Sequence, residues 1–120
     1  MKIKVSEATG VQLDWMVAKC EGFDSFEFWH TGAITPRYEN GITRTHSFST
    51  SWSQGGPIIE REKISPSWSI EGHWAAYKFD PNDELEASFM QFGPTPLIAA
   101  MRCYVASKLG DEVEVPEELK

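Results

Sequence analysis

The sequence predicts an α+β fold in which a small antiparallel sheet packs against an N-terminal helix and a central C-terminal helix. Three observations carry this. One is a fully punctuated helix within Gly93–Asp111. The others are two strand-like runs flanking a turn at Asp80-Pro81-Asn82-Asp83, and an apolar helical stripe near the N-terminus. The 120 residues suit one domain, 1–120, ending in an acidic tail over about 111–120.

At the N-terminus Lys2–Val5 alternates like a short strand, with Ile3 and Val5 on one side. Ser6 is placed to cap a first turn, and a helix follows over roughly Gly10–Glu21. Leu13, Met16, Val17 and Cys20 form its inner stripe, Gln12, Asp14 and Lys19 its solvated side, and Gly22 its stop. Trp15 lies off the centre of the stripe and must cover a second surface or stay partly exposed. Phe23–His30 is aromatic and strand-like, with Phe26 and Phe28 on one face and Glu27 and Trp29 on the other. Thr31–Gln54 is polar and long for a simple connection. A partly ordered loop is the favoured reading, and a concealed strand around Gly41–Phe48 the other.

In Trp52-Ser53-Gln54-Gly55-Gly56-Pro57-Ile58-Ile59-Glu60-Arg61-Glu62, the glycine pair permits backbone conformations closed to other residues. Pro57 is suited to open a short helix through about Lys63. A strand over Ile58–Ile64 competes with that helix. Beyond Pro66 the pattern turns to β: Trp74–Phe79 and Glu84–Phe92 read as an antiparallel hairpin leading into the last helix.

That last helix has both ends written locally. Thr95 is its N-cap, able to accept from the N–H of Leu97 or Ile98, and Pro96 occupies the first position, where a missing N–H costs nothing. Gly110 suits a left-handed C-terminal cap, and Lys108 meets the negative end of the dipole. Projected at about 100° per residue, Leu97, Ile98, Met101, Tyr104, Val105 and Leu109 form a bulky arc. The other side holds Ala99, Cys103, Ala106 and Ser107, with Arg102 at its edge. A solvent-facing side would be charged; this small one predicts burial on two faces. In the acidic tail, Val113 and Val115 are placed to pin the chain.

A net charge of −7 argues against general nucleic-acid binding, which needs a basic surface. No run reaches the roughly 20 apolar residues of a membrane span, and the N-terminus has no apolar leader core. Cys20 and Cys103 read as buried reduced thiols, which suits a reducing cytoplasm. His30, His46 and His73 lack metal-ligand spacing, so neither a metal nor a cofactor is expected. No nucleophile–base pair is visible, and Glu60 with Glu62 has no positioned partner, so catalytic residues are not assigned.

Three blocks resemble the NinX-like family of small phage proteins. They are Leu13-Asp14-Trp15 with Val17–Gly22, then Trp52–Glu62, then Gly93 through Val115. The resemblance implies a phage or prophage origin and an accessory role in the cytoplasm of a bacterial host. It supplies no activity and no active site.

The residues themselves point to a candidate ligand site of Trp15, Trp52, Gln54, Gly55, Gly56, Pro57, Thr95 and Arg102. Glycine backbone admits a ligand closely, Trp15, Trp52 and Trp74 offer flat rings, and a helix N-terminus attracts anions. A nucleotide-like molecule fits all three, although Pro96 removes one donor and Thr95 occupies another. The competing reading makes both Gly-Pro segments structural turns. Arg102 either pairs with a buried carboxylate such as Asp14 or Glu60, or faces the ligand, and Arg61 reads as an ion-paired surface residue. The preferred function is a non-enzymatic accessory protein that binds such a ligand or blocks a host or defence protein. The alternatives are a regulator acting through protein contacts alone, with Trp29, Trp52 or Trp68 as anchors, and a small hydrolase or nuclease. A homo-oligomer stays open.

Overall fold

The computed structural model describes residues 1–23, 26–28, 34–36, 46–69, 71–79 and 88–119. Its described elements are β1 (Lys2–Lys4), α1 (Gly10–Cys20), β2 (Phe26–Phe28), β3 (Ile34–Pro36), α2 (Trp52–Glu62), β4 (Ser65–Trp68), β5 (Trp74–Phe79), β6 (Ser88–Gly93), α3 (Pro96–Leu109) and β7 (Glu112–Glu114). The fold is α+β. Trp29, His30, most of the proposed strand at 41–48 and the turn at 80–83 lie outside the described residues.

Helix α3 occupies the centre. Thr95 caps it through Oγ1, which accepts the Ile98 N–H at 3.0 Å, and Pro96 sits at the first position. From Ala99 to Ala106 every residue is buried, on the small side as well as the bulky one. Gly110 has the positive φ expected, +90°, but its ψ of −172° is extended rather than left-handed helical. That backbone conformation is open essentially to glycine alone.

The layer on one side of α3 is the antiparallel sheet β4-β5-β6. Alternation along β5 sends Trp74, Ala76 and Lys78 toward α3, where Ala76 joins the core. Gly93 closes β6 because the strand end touches the helix; a Cβ there would lie 2.8 Å from the Ala99 nitrogen. Helices α1 and α2 pack on other sides of α3. A second small sheet joins the ends of the chain, with Ile3 opposite Val113, and the tail is held as expected by buried Val113 and Val115. β1 stops at Lys4, and Val5–Glu7 forms a 3-10 turn that contains Ser6 rather than being capped by it.

Two expectations about the helices change. Asp14, assigned to solvent, is only 7% exposed, and its Oδ1 accepts the Ser49 backbone N–H at 2.8 Å. The carboxylate anchors the turn preceding α2, and Trp15 beside it covers a second buried surface. The other change concerns α2, which begins at Trp52 and not at Pro57, so Ile58–Glu62 is helical rather than a strand. Pro57 sits inside the helix, where it cannot bond the Ser53 carbonyl. Ser53 and Pro57 are both on the exposed side, where water can serve that carbonyl.

Gly55 and Gly56 therefore adopt helical, not special, backbone. Gly55 is needed for space instead: a Cβ there would lie 2.5 Å from the Phe48 carbonyl oxygen and 2.6 Å from Leu97 Cδ1. Gly55→Ala is expected to cost about 1–2 kcal/mol by overpacking, because the nearer atom is backbone and cannot swing aside. Gly56→Ala meets only Trp52 Cε3, at 3.9 Å, and should not destabilise. Urea melts of the two variants check the contrast; equal midpoints would refute it.

Candidate functional site

The eight site residues predicted from sequence fall on all three main helices. Trp15 is buried in α1, with the Lys19 ammonium 5.9 Å from its ring centroid. Trp52 opens α2 and is 54% exposed. Gln54 is half-buried and its Oε1 accepts the Ser47 N–H at 2.8 Å, which ties the preceding turn to the helix. Gly55 faces inward, while Gly56 and exposed Pro57 share the outer side with Trp52. The second glycine-proline segment does meet the first, since Gly55 packs on Leu97 in the first turn of α3. Their junction is filled by the Leu97 side chain. Trp74 lies apart from Trp52, edge-on to Trp68 on the sheet at 5.4 Å.

Arg102 has neither Asp14 nor Glu60 as its partner. Asp14 is engaged by Ser49, and Glu60 is exposed. Arg102 Nε donates to the Ala8 carbonyl at 2.9 Å and Nη1 to the Phe92 carbonyl at 2.7 Å, with the residue 7% exposed. Burial pushes its pKa down. The side chain thus joins the segment before α1 to the end of β6 across α3, using carbonyl dipoles in place of a carboxylate.

A polar cluster unseen in the sequence lies where α1, α2, β5 and α3 converge. The Arg61 guanidinium bonds both oxygens of Glu21, at 3.1 and 2.6 Å, and the Tyr104 hydroxyl donates to Glu21 Oε2 at 2.6 Å. Arg61 is the ion-paired residue expected. Glu62 accepts from Lys78 at 2.9 Å and from Arg61 Nε at 2.9 Å, with Lys108 at 3.6 Å. The Lys78 hydrogen bond, then that of Arg61, holds the Glu62 pKa down at about 2 despite partial burial. Burial raises the Glu21 pKa, but hydrogen bonds from Arg61 and Tyr104 outweigh it, so the net shift is downward. With each carboxylate held by cations, neither is poised as a general base near neutral pH.

The remaining reactive side chains are packed away. Cys103 is buried and donates to the Phe89 carbonyl, and burial pushes its pKa to about 11. Burial likewise takes Cys20 to about 12, so neither thiol is activated as a nucleophile. His46 stacks on Phe48 and is tilted against Phe23, each at 4.8 Å between ring centroids, and burial pushes its pKa down. Among the described residues, no three His, Cys, Asp or Glu side chains converge to hold a metal ion, and no helix is long and apolar enough to cross a membrane.

The outer face of the main sheet is a further exposed surface. Tyr77, Phe79, Met90 and Phe92 point away from α3 and are 38%, 68%, 44% and 42% exposed. The signal was present in the alternation of β5 and β6, whose outward positions, Ser88 excepted, are apolar where water would favour polar residues.

The three blocks that carry the family resemblance are α1, α2 and α3 with their flanks, and α1 and α2 both pack on α3. They constitute the helical half of the core. No curated protein gives a significant match to the chain. The family model described as Bacteriophage P22, NinX matches residues 4–108, from the end of β1 to the last turn of α3. With the match covering most of its length, the chain belongs to the NinX family of bacteriophage proteins.

Proposed function

We propose that this NinX-family protein is an accessory factor that acts by binding, in the cytoplasm of the infected host, and blocks a host or defence protein through the outer side of α2. The observation that supports this reading is Trp52, a large residue 54% exposed on the first turn of a helix whose opposite side is anchored in the core. Gly56 lies one turn below it and Pro57 beside that, so the ring stands clear of bulky neighbours. Tryptophan is among the residues most enriched at the energetic hot spots of protein interfaces. Ile58 and Gly55 hold the helix from beneath, which limits the ordering cost on binding.

The test is a defence challenge. Hosts carrying different anti-phage systems express the protein, and phage growth is scored with and without Trp52→Ala. The expected result is rescue of phage growth in one host background, lost in the variant while its melting temperature stays within about 2 °C of the parent. Rescue by Trp52→Ala equal to the parent would sink the assignment to this side of α2.

A nucleotide-like ligand is the second reading, and one feature favours it: the Trp52 ring lies against Gly56, where no side chain competes with a stacked base. The first turn of α3 contributes less, since Thr95 occupies the Ile98 donor and Pro96 has none. A panel of cyclic dinucleotides and adenosine derivatives should then raise the melting temperature at micromolar levels, and not in Trp52→Ala.

A further inference from the structure

The start of α2 is fixed from outside the helix. Ser51 is its N-cap, but its side chain caps no N–H and instead lies 2.9 Å from Ser53 Oγ. A side-chain cap ordinarily settles how a helix begins; here the preceding turn does so. The Ser47 carbonyl accepts the N–H groups of Thr50 and Ser51 at 3.1 and 2.8 Å, and the Ser47 N–H donates to Gln54 Oε1 at 2.8 Å. The Ser51 carbonyl in turn accepts from Gln54 and Gly55, at 3.1 and 2.9 Å. Residues 47–55 are thereby one unit, with Trp52 on its exposed side.

Two kinds of contact seat this unit on the rest of the molecule. Phe48 is buried in the core, and Gly55 packs on Leu97. Such contacts set the depth of the unit and leave its rotation soft, because apolar burial has no direction. The directional contact is the Ser49 N–H bond to Asp14 Oδ1, at 2.8 Å, which weakens steeply if it bends. Asp14 lies within α1, flanked by the buried Leu13, Met16 and Val17, so the acceptor is held still. Among the described residues no cation pairs with it, and burial pushes its pKa up. A buried carboxylate without a cation is costly. What it supplies here is a charge-assisted bond, about twice as strong as a neutral one, at the point that orients α2.

We propose that Asp14 is a positioning residue for Trp52: through Ser49 it fixes the rotation of the 47–55 unit, and with it the direction in which the Trp52 side chain is presented. Ser49 and Trp52 are three residues apart, so a swing at one is passed to the other within about one helical turn. The functional consequence deepens, and rests on, the reading of Trp52 as the anchor for a partner protein. A partner meets a ring already held in place, and the ordering cost of binding stays low. Losing the Asp14 acceptor leaves Trp52 present and exposed but no longer fixed.

NMR relaxation of the backbone amides in the full chain separates positioning from stability, because it reads motion within the folded state. In the parent, order parameters at Ser51, Trp52 and Ser53 should match those of α3, about 0.85. In Asp14→Ala they should fall toward about 0.6, or show exchange on the μs–ms timescale, with α3 unmoved. Asp14→Asn keeps an acceptor oxygen in the same place and should restore the parent values. Asp14→Ser, whose hydroxyl is too short to reach Ser49, takes the place of Asp14→Ala if that variant fails to fold. In the defence challenge Asp14→Ala should lose rescue and Asp14→Asn keep it. Order parameters and exchange at 51–53 that stay as in the parent when the acceptor is removed overturn the proposal, whatever the melting temperature does. An Asp14→Asn as mobile as Asp14→Ala overturns it too, as does full rescue by a mobile Asp14→Ala. Rescue by Trp52→Ala equal to the parent sinks the anchor reading alone, since relaxation decides the role of Asp14.

Discussion

Arg102→Ala is expected to lower stability by about 3–5 kcal/mol, a large fraction of what a domain of this size possesses. Two losses combine. The Ala8 and Phe92 carbonyls lose charge-assisted donors at 2.9 and 2.7 Å, in surroundings where Ala8 itself is fully buried. Each unpaired carbonyl costs roughly 1–3 kcal/mol, and the long side chain leaves a cavity that the neighbouring helix and strand fill only in part. Arg102→Met separates the two effects, since it keeps most of the volume and removes the donors. About half the loss should remain in that variant. Urea unfolding with circular dichroism measures both. An Arg102→Ala midpoint indistinguishable from the parent would falsify the structural role, and Arg102 would return to the ligand reading.

The second large effect is at Glu62, whose carboxylate joins α2 to β5 and α3. Glu62→Gln should cost about 2–3 kcal/mol at pH 7, more than an exposed ion pair contributes, because the side chain is mostly buried and holds two short charge-assisted bonds. The pH dependence has a definite sign. The folded pKa of about 2 lies below the ordinary 4.5, so the unfolded chain binds the proton more readily. The stabilisation is complete above about pH 4.5 and is lost as pH falls through about 2. The difference in melting temperature between parent and Glu62→Gln should therefore shrink over that interval. Glu21, also shifted downward, adds acid sensitivity to both proteins, and because it shares Arg61 with Glu62 its own contribution differs between them. A difference that stays constant from pH 7 to pH 2 would show that Glu62 is not held as an ion pair.

Much of the helical half of the fold was legible in the chain. Thr95 and Pro96 open α3 as expected, Gly110 ends it with an extended rather than a left-handed helical backbone, and the Ala99–Cys103–Ala106 side is the second buried face expected. Strands β5 and β6 were also visible, as alternating runs, while β4 was not separately placed. Pro57 misled because proline marks helix starts in most sequences, whereas here its solvent position makes an interior site tolerable. The candidate site was less legible. Gly55 was read as admitting a ligand and admits Leu97; Asp14 was read as solvated and holds Ser49. Each of those errors concerns a partner distant in sequence.

The division has one physical cause. Caps, dipole charges and periodicity act within a turn or two of chain, so the sequence by itself determined that helices occupy α1 and α3, where they end, and that α3 is buried all round. Long polar side chains and glycine gaps take their meaning from whatever lies across a layer boundary. Only the tertiary structure decided that Arg102 binds two carbonyls, that Glu62 gathers Lys78, Lys108 and Arg61, and that the uncharged side of the sheet faces outward.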